Sequence, residues 1–289
     1  MRSGSFRAAG RRPLVPALVG AILVLALVPP THGATTWTKL GSGSTKGISG
    51  LAASSSGWVI ARDNKTAGQS RIALLSPSLT VAELAWPGTA PQDLESIAAV
   101  PGTANRYVAC TSARACSVID IAGTSLTVRR TFTLPGSGSN YEALAFTTVS
   151  GKSVALWAQR GSPTAAGKLR AAFVNLSTWT FGPVASASVR VPWPTGAIRH
   201  VSDAAVVNGR IIVSSATDPG DNGPFDSAVY DVGALGRNST RPTLTVQTPK
   251  ELGRFPGHKI EGISCATGAD LLGTDDEKAG GSVASVDVC

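Results

Sequence analysis

Trp86-Pro87-Gly88, followed by Glu95-Ser96-Ile97-Ala98, is a Pro/Gly turn leading to a polar residue that opens a small apolar strand. The same unit recurs four times. Leu40-Gly41-Ser42 leads to Ser49-Gly50-Leu51-Ala52, and Leu134-Pro135-Gly136 leads to Glu142-Ala143-Leu144-Ala145. Trp193-Pro194-Thr195-Gly196 leads to Ser202-Asp203-Ala204-Ala205, and Phe255-Pro256-Gly257 leads to Glu261-Gly262-Ile263-Ser264. The opening residues fall at 49, 95, 142, 202 and 261, at intervals of 46, 47, 60 and 59 residues.

Each interval carries further strand signals. After Ser49 come Trp58–Ala61, Ile72–Leu75 and Val81–Leu84. After Glu95 come Tyr107–Cys110, Ser117–Ile121 and Ser125–Thr133. After Ser202 come Ile211–Val213, Ala228–Val232 and Leu244–Thr248. Four short strands in a unit of about 40–60 residues is the arithmetic of a propeller blade. The unit opened by Glu261 has room for only three strands before Cys289, and Thr36–Leu40 can supply the fourth. The sequence therefore predicts an all-β, five-bladed propeller closed by its N-terminal strand, which hides the sheet edges. A β-sandwich does not account for one motif occurring five times.

Composition agrees. Gly (32) and Pro (18) occupy 50 of 289 positions without a Gly-X-Y period, which excludes collagen and implies many turns. A hydrophobic content of 43% excludes wholesale disorder, and only 15% of residues are charged. The formal charge of +8 includes Arg2, Arg7, Arg11 and Arg12, so without them it is 8 − 4 = +4. No basic stripe with interleaved aromatics is present, so nucleic acid is not an expected partner.

Those arginines precede an apolar run, Leu14–Val28, and then Pro29-Pro30-Thr31-His32-Gly33. Residues 1–33 read as a secretory signal cut near Gly33, with 34–289 as one propeller domain. The run is shorter than the ~20 residues of a membrane span, so no span is expected after processing. Arg11-Arg12 is compatible with twin-arginine export as well as the general route. The expectation is a secreted bacterial monomer. Four cysteines in an exported chain favour disulfides. Of three pairings, Cys110–Cys116 closes a short loop between strands, which leaves Cys265–Cys289 to tie down the C-terminus. The alternative, a metal site, matches no zinc spacing.

The first strand of a propeller blade lines the central channel, so Ser49, Glu95, Glu142, Ser202 and Glu261 are expected to converge near its mouth. Three converging carboxylates repel one another, and a hard cation resolves the conflict. Calcium takes 6–8 oxygens and suits this donor set. The competing expectation pairs these glutamates with Lys259, Arg199 or Lys46.

An axial Ser, Glu, Glu, Ser, Glu order on five blades resembles the soluble calcium-activated nucleotidases, the secreted apyrase family. The resemblance covers about residues 47–287, and Asp63-Asn64-Lys65 with Arg71-Ile72 is similar to the family's first-blade loop. It implies one calcium held by the five axial residues. A looser likeness, through the Ser-Gly-Leu and Glu-Gly-Ile openings, exists to phytase-like and esterase-like secreted propellers. The unit here is shorter than in the nucleotidases, and their long aromatic and basic segments are missing. The likeness is to the calcium scaffold more than to the active site.

Loops between the second and third strands share the face of the axial residues. They and the blade-entry linkers supply Arg62, Lys65, Arg114, Arg160, Arg199, His200 and Lys259 as candidate ligand-binding residues. Cations beside a metal suit an anionic small molecule such as a phosphate. One expectation is a calcium-dependent hydrolase of phosphoanhydrides or phosphate esters, with Asp63 or Asp276 as base. The other is a non-catalytic extracellular binding propeller with a structural calcium. No Gly-x-Ser-x-Gly elbow, dinucleotide fingerprint or P-loop is present.

Overall fold

The computed structural model describes residues 1, 4, 5, 35–265 and 270–289. The apolar run and cleavage site read as an export signal lie outside them. The chain divides into two units, Met1–Gly33 and Ala34–Cys289, and the blades lie in the second. No helix among the described residues is long and apolar enough to cross a membrane.

Five antiparallel sheets form the blades. Blade 1 runs β2 (Gly50–Ser54), β3 (Gly57–Ala61), β4 (Ile72–Leu75), β5 (Val81–Leu84), and blade 2 runs β6 (Leu94–Ala99), β7 (Arg106–Thr111), β8 (Ala115–Ala122), β9 (Ser125–Thr133). Blade 3 holds β10 (Tyr141–Val149), β11 (Lys152–Gln159), β12 (Gly167–Asn175), β13 (Thr180–Phe181) and β14 (Ala185–Val189). Blade 4 holds β15 (Ile198–Val207), β16 (Arg210–Thr217), β17 (Asp226–Arg237) and β18 (Pro242–Pro256). Blade 5 has β19 (Ile260–Ser264), β20 (Leu271–Thr274) and β21 (Ser282–Ser285), and its fourth strand is β1 (Thr38–Lys39). Thr38 pairs with Val283 and Lys39 with Ser282, so the expected ring closure is present.

The inner strands touch in cyclic order β2, β6, β10, β15, β19 and back to β2. At two points that approach leaves no room for a side chain. A Cβ on Gly50 would lie 2.9 Å from the Ile97 amide nitrogen, and one on Gly262 would lie 2.9 Å from Leu51 Cβ. This is why two of the five openings carry glycine next to the axial residue.

Blade faces alternate apolar residues, and each neighbouring pair of blades buries one core. Val59, Ile72, Ile97, Tyr107 and Ile119 fill the space between blades 1 and 2, and Trp157, Val108 and Val118 that between blades 2 and 3. Comparable clusters join blades 3 and 4, 4 and 5, and 5 and 1.

Two strands depart from the sequence expectation. Blade 3's outer strand is split: β13 pairs with the end of β12 and β14 with its start. Pro183 lies between them and has no N–H to continue a ladder. In blade 4, β18 is 15 residues long against the expected Leu244–Thr248, because its hairpin with β17 continues past the blade through two register shifts.

Both expected disulfides are present, Cys110–Cys116 across the β7–β8 hairpin and Cys265–Cys289 behind the closing blade. Their sequence separations are 6 and 24. Loop-closure entropy gives about 2.4 and about 3.5 kcal/mol respectively. Removing Cys265–Cys289 by a double Ser substitution should therefore destabilise the fold by about 1 kcal/mol more than removing Cys110–Cys116. Equilibrium urea unfolding measures both, and equal losses would show that the closing blade is held by its strand pairing alone.

Candidate functional site

The inner strands share a second feature. Leu94 pairs with Thr111 and Ser96 with Cys110, so Glu95 between them is an extra residue. Glu142 is extra between Tyr141 and Ala143, and Glu261 between Ile260 and Gly262. In blade 4 the ladder is irregular across 200–202, and in blade 1 the amide of Ser49 donates to Ala61 O, beside the Gly50–Ala61 pair. A bulge bends the strand and re-aims a side chain. The repeated motif is thus an inner-edge irregularity, a one-residue bulge in blades 2, 3 and 5 and a longer one in blade 4, and it carries the polar residue.

Glu142 and Glu261 are buried, and cations enter between them. Arg199 Nη1 lies 2.5 Å from Glu261 Oε1 and 3.7 Å from Glu142 Oε2, and the guanidinium also pairs with Asp218. The Lys259 ammonium, 2% exposed, is 3.3 Å from Glu261, 2.5 Å from Glu277 and 3.8 Å from Asp275. Burial opposes charge on both cations, but Glu261 with Glu142 raises the Arg199 pKa, and Glu261 with Asp275 raises that of Lys259. Burial raises the Glu142 pKa, with Arg199 opposing and Glu261 reinforcing. Asp275 is pushed well above the carboxylate range by burial and then by Glu261.

The other half of the mouth has fewer cations. Asp63, Asp93 and Glu95 offer oxygens within 4.8 Å of one another. Lys65 Nζ is 2.8 Å from Asp93 Oδ1 and 4.0 Å from Asp63 Oδ2. Burial lifts Glu95 well above its ordinary pKa, and repulsion from Glu142 and Glu261 adds to it. Asp63 is raised by burial and Glu261. Asp93 is lowered: burial works against its charge, but hydrogen bonds from Lys65 and Ser112 outweigh it. Two buried oxygens of the axial set, Glu142 Oε1 and Ser202 Oγ, have no hydrogen-bond partner. Arg160 Nη1 is 3.5 Å from Glu142 Oε1.

The remaining sequence-derived residues fall elsewhere. Arg62 is buried and donates to Gly47 O and the outer-strand Glu83, which Lys46 also meets. Arg114, at a positive φ of 75° in the β7–β8 turn, donates to Leu134 O and Gly138 O. His200 is buried, and its Nδ1 accepts the Val191 amide. Asp276 accepts from Lys259 N–H and the Thr274 hydroxyl and faces His258, so its neighbour Asp275 is the loop carboxylate paired with Lys259. Ser49 Oγ donates to Leu94 O, across to blade 2. Asp93, Asp218, Asp275 and Glu277 also belong to the mouth, on the loops and linkers that the sequence places on this face without assigning these four a role. Their signal was membership of the same loops and linkers.

The mouth thus gathers eight carboxylates (Asp63, Asp93, Glu95, Glu142, Asp218, Glu261, Asp275, Glu277) and four cations (Lys65, Arg160, Arg199, Lys259). On a chain of formal charge +8, that is a local acidic centre. Clefts of about 660 Å³ beside Trp86 and Phe132, and about 610 Å³ beside Phe225 and His258, include none of the five axial residues.

No family model and no curated protein matches the sequence. Among solved structures, a chain of the "Crystal Structure of Mitotic Checkpoint Complex" is similar at 10% identity and a TM-score of 0.41, over 94% of this chain and 99% of that one. A likeness at that level carries no argument about activity or partners.

The raised carboxyls set a pH dependence. Glu95, Glu142, Asp63 and Asp275 have folded-state pKa values above their unfolded ones. The folded protein then binds more protons than the unfolded chain above about pH 4. The contribution of these four groups is full below that point and falls as pH rises toward neutrality. Without divalent cations, the melting temperature should be higher at pH 5 than at pH 7.5. Scanning fluorimetry in EGTA measures this, and a higher value at pH 7.5 would show that the mouth's own cations already compensate its carboxylates.

Proposed function

We propose that this chain is a secreted, calcium-dependent propeller that takes a phosphate-bearing small molecule at the axial mouth and hydrolyses a phosphoanhydride or phosphate ester there, in the manner of the calcium-activated nucleotidases. The observation that carries the reading is a pair of buried oxygens that accept no hydrogen bond, Ser202 Oγ and Glu142 Oε1, the latter with Arg160 3.5 Å away, in an all-oxygen donor set crowded with carboxylates. Such oxygens suit a hard cation. Glu95, Glu142, Ser49 and Ser202 would hold it, with Glu261 contributing less because Arg199 and Lys259 already face it. When bound, calcium supplies positive charge that polarises a phosphoryl oxygen. Secretion is supported by the two disulfides and the Arg-rich, apolar N-terminus.

The chain's own residues would bind and orient the anion. Arg160 is 31% exposed on its loop and can turn from Glu142 to a phosphate oxygen. Asp63, a half-buried mouth carboxylate whose pKa burial raises, is the candidate to take a proton from water. The second reading, a non-catalytic binding propeller, is favoured by Arg62 and Arg114, two of the four arginines expected to bind the ligand, which are committed to carbonyls and Glu83.

The test is product release by the mature chain from nucleoside di- and triphosphates, phytate and aryl esters, with calcium or EGTA. Calcium-dependent turnover is expected, reduced about ten-fold in kcat/KM by Arg160→Ala, the loss of one charge-assisted contact. No calcium-dependent turnover on any substrate overturns the hydrolase reading in favour of the binding one.

A further inference from the structure

Asp276, expected from sequence as a base at the mouth, faces His258 in the cleft of about 610 Å³ instead. Its carboxylate is fully engaged there. Oδ1 accepts the Lys259 amide at 2.7 Å, and Oδ2 accepts the Thr274 hydroxyl at 3.0 Å. That hydroxyl is itself pinned, since its oxygen accepts the Ser282 amide at 3.0 Å. Oδ2 also meets His258 Nδ1 at 2.9 Å. A carboxylate among such donors only accepts, so the proton of this pair is on Nδ1, and Nε2 of the neutral ring keeps its lone pair. Nε2 has no partner among the described residues, and His258 is 24% exposed and lines the cleft. The ring is also stacked on Trp37, with centroids 4.2 Å apart and planes at 29°. Lys259 before β19, Thr274 on β20 and Ser282 on β21 thus hold one imidazole with one nitrogen open.

A carboxylate-oriented imidazole that opens onto a cleft is the arrangement of a general base. The other lining groups suit an ester. Pro224, Phe225 and Ala279 give the cleft an apolar side. Lys278 is 3.4 Å from Asp221, but Lys39 lines the cleft with no hydrogen-bond or ion-pair partner among the described residues. Its ammonium is available to a developing oxyanion.

We propose that this cleft is a second active site, which hydrolyses small carboxylic esters without calcium, with His258 as general base, Asp276 as the residue that positions it, and Lys39 facing the carbonyl oxygen. It goes beyond the axial reading, and the cleft includes none of the five axial residues. His258 Nε2 takes a proton from water as the water oxygen bonds to the ester carbonyl carbon. The carbonyl π pair moves onto the oxygen that faces Lys39. When that pair returns, the bond to the alcohol oxygen breaks and Nε2 gives its proton to the leaving alkoxide. Ester and water become acid and alcohol, and the imidazole is restored.

Hydrolysis of 4-nitrophenyl acetate and butyrate by the mature chain in EGTA tests the site. Saturable turnover is expected, faster than that of free imidazole at equal concentration. His258→Gln should lower kcat/KM about a hundred-fold, the lower end of what a positioned base contributes. Asp276→Asn keeps the shape but offers Nδ1 an amide N–H, which favours the tautomer with its proton on Nε2. It should lower kcat about ten-fold or more with KM within about two-fold, a split that a purely structural role does not give. Lys39→Met, at an exposed position, should lower kcat/KM about ten-fold, less than loss of an enclosed oxyanion donor, and keeps the test intact should a dyad variant fail to fold. A rate linear in substrate and no faster than free imidazole overturns the proposal, as does turnover unchanged in His258→Gln or in Lys39→Met. Ester turnover that requires calcium also overturns it, while leaving the axial reading in place.

Discussion

Five inner strands can meet around one axis only if something tolerable occupies the centre. Here the bulge at each inner edge turns Glu95, Glu142 and Glu261 toward the same small volume. Three buried carboxylates in that space would oppose closure of the ring. Arg199, inserted between Glu142 and Glu261, and Lys259, beneath Glu261, convert part of the repulsion into attraction. Pairs buried this deeply gain little net stability over an apolar centre, since desolvation consumes most of the Coulomb term. Their effect is on arrangement: each cation meets carboxylates from more than one blade, so the blades must stand in one order and register.

The outer structure follows from the approach those bulges permit. Gly50 and Gly262 let the innermost strands touch. Asp203, next to Ser202, is buried with both oxygens used, accepting the amides of Ala204 and of Ile263 in blade 5. Burial raises its pKa well above normal, opposed by those two backbone bonds. With the inner edges fixed, the diverging faces of adjacent blades enclose the five cores, whose apolar area supplies most of the folding free energy. The last such core needs both chain ends, and β1 and the Cys265–Cys289 bridge bring them together.

The blade count was legible because the bulge leaves a repeated print: a turn, a polar residue, then small or apolar residues. Strands whose length is limited by turns, such as Ile72–Leu75, Val81–Leu84 and Ser125–Thr133, were legible to the residue. Side-chain direction in loops was not. Arg62 and Lys65 are three residues apart, yet one runs inward to Gly47 O and the other to the mouth. Arg114 stands in a loop equivalent to that of Arg160, but its positive φ turns it toward carbonyls of the next linker. Asp275 and Asp276 are adjacent, and only the first pairs with the Lys259 ammonium, because the second is taken by the Lys259 backbone N–H, His258 and Thr274. Such choices depend on backbone torsions at single residues, which composition and spacing do not encode.

Charge distribution decides what the mouth can receive. Eight carboxylates against four cations leave a negative centre on a basic chain, so a free anion approaching the axis meets repulsion at the last step even though the whole molecule attracts it. On the proposed reading, cation and anion are therefore not independent ligands. A divalent ion at the mouth would cancel two of those charges. Only then do Arg160 and the ion present a positive surface to a phosphate. The buried Arg199 and Lys259 cannot take that part, since each is already committed to several carboxylates.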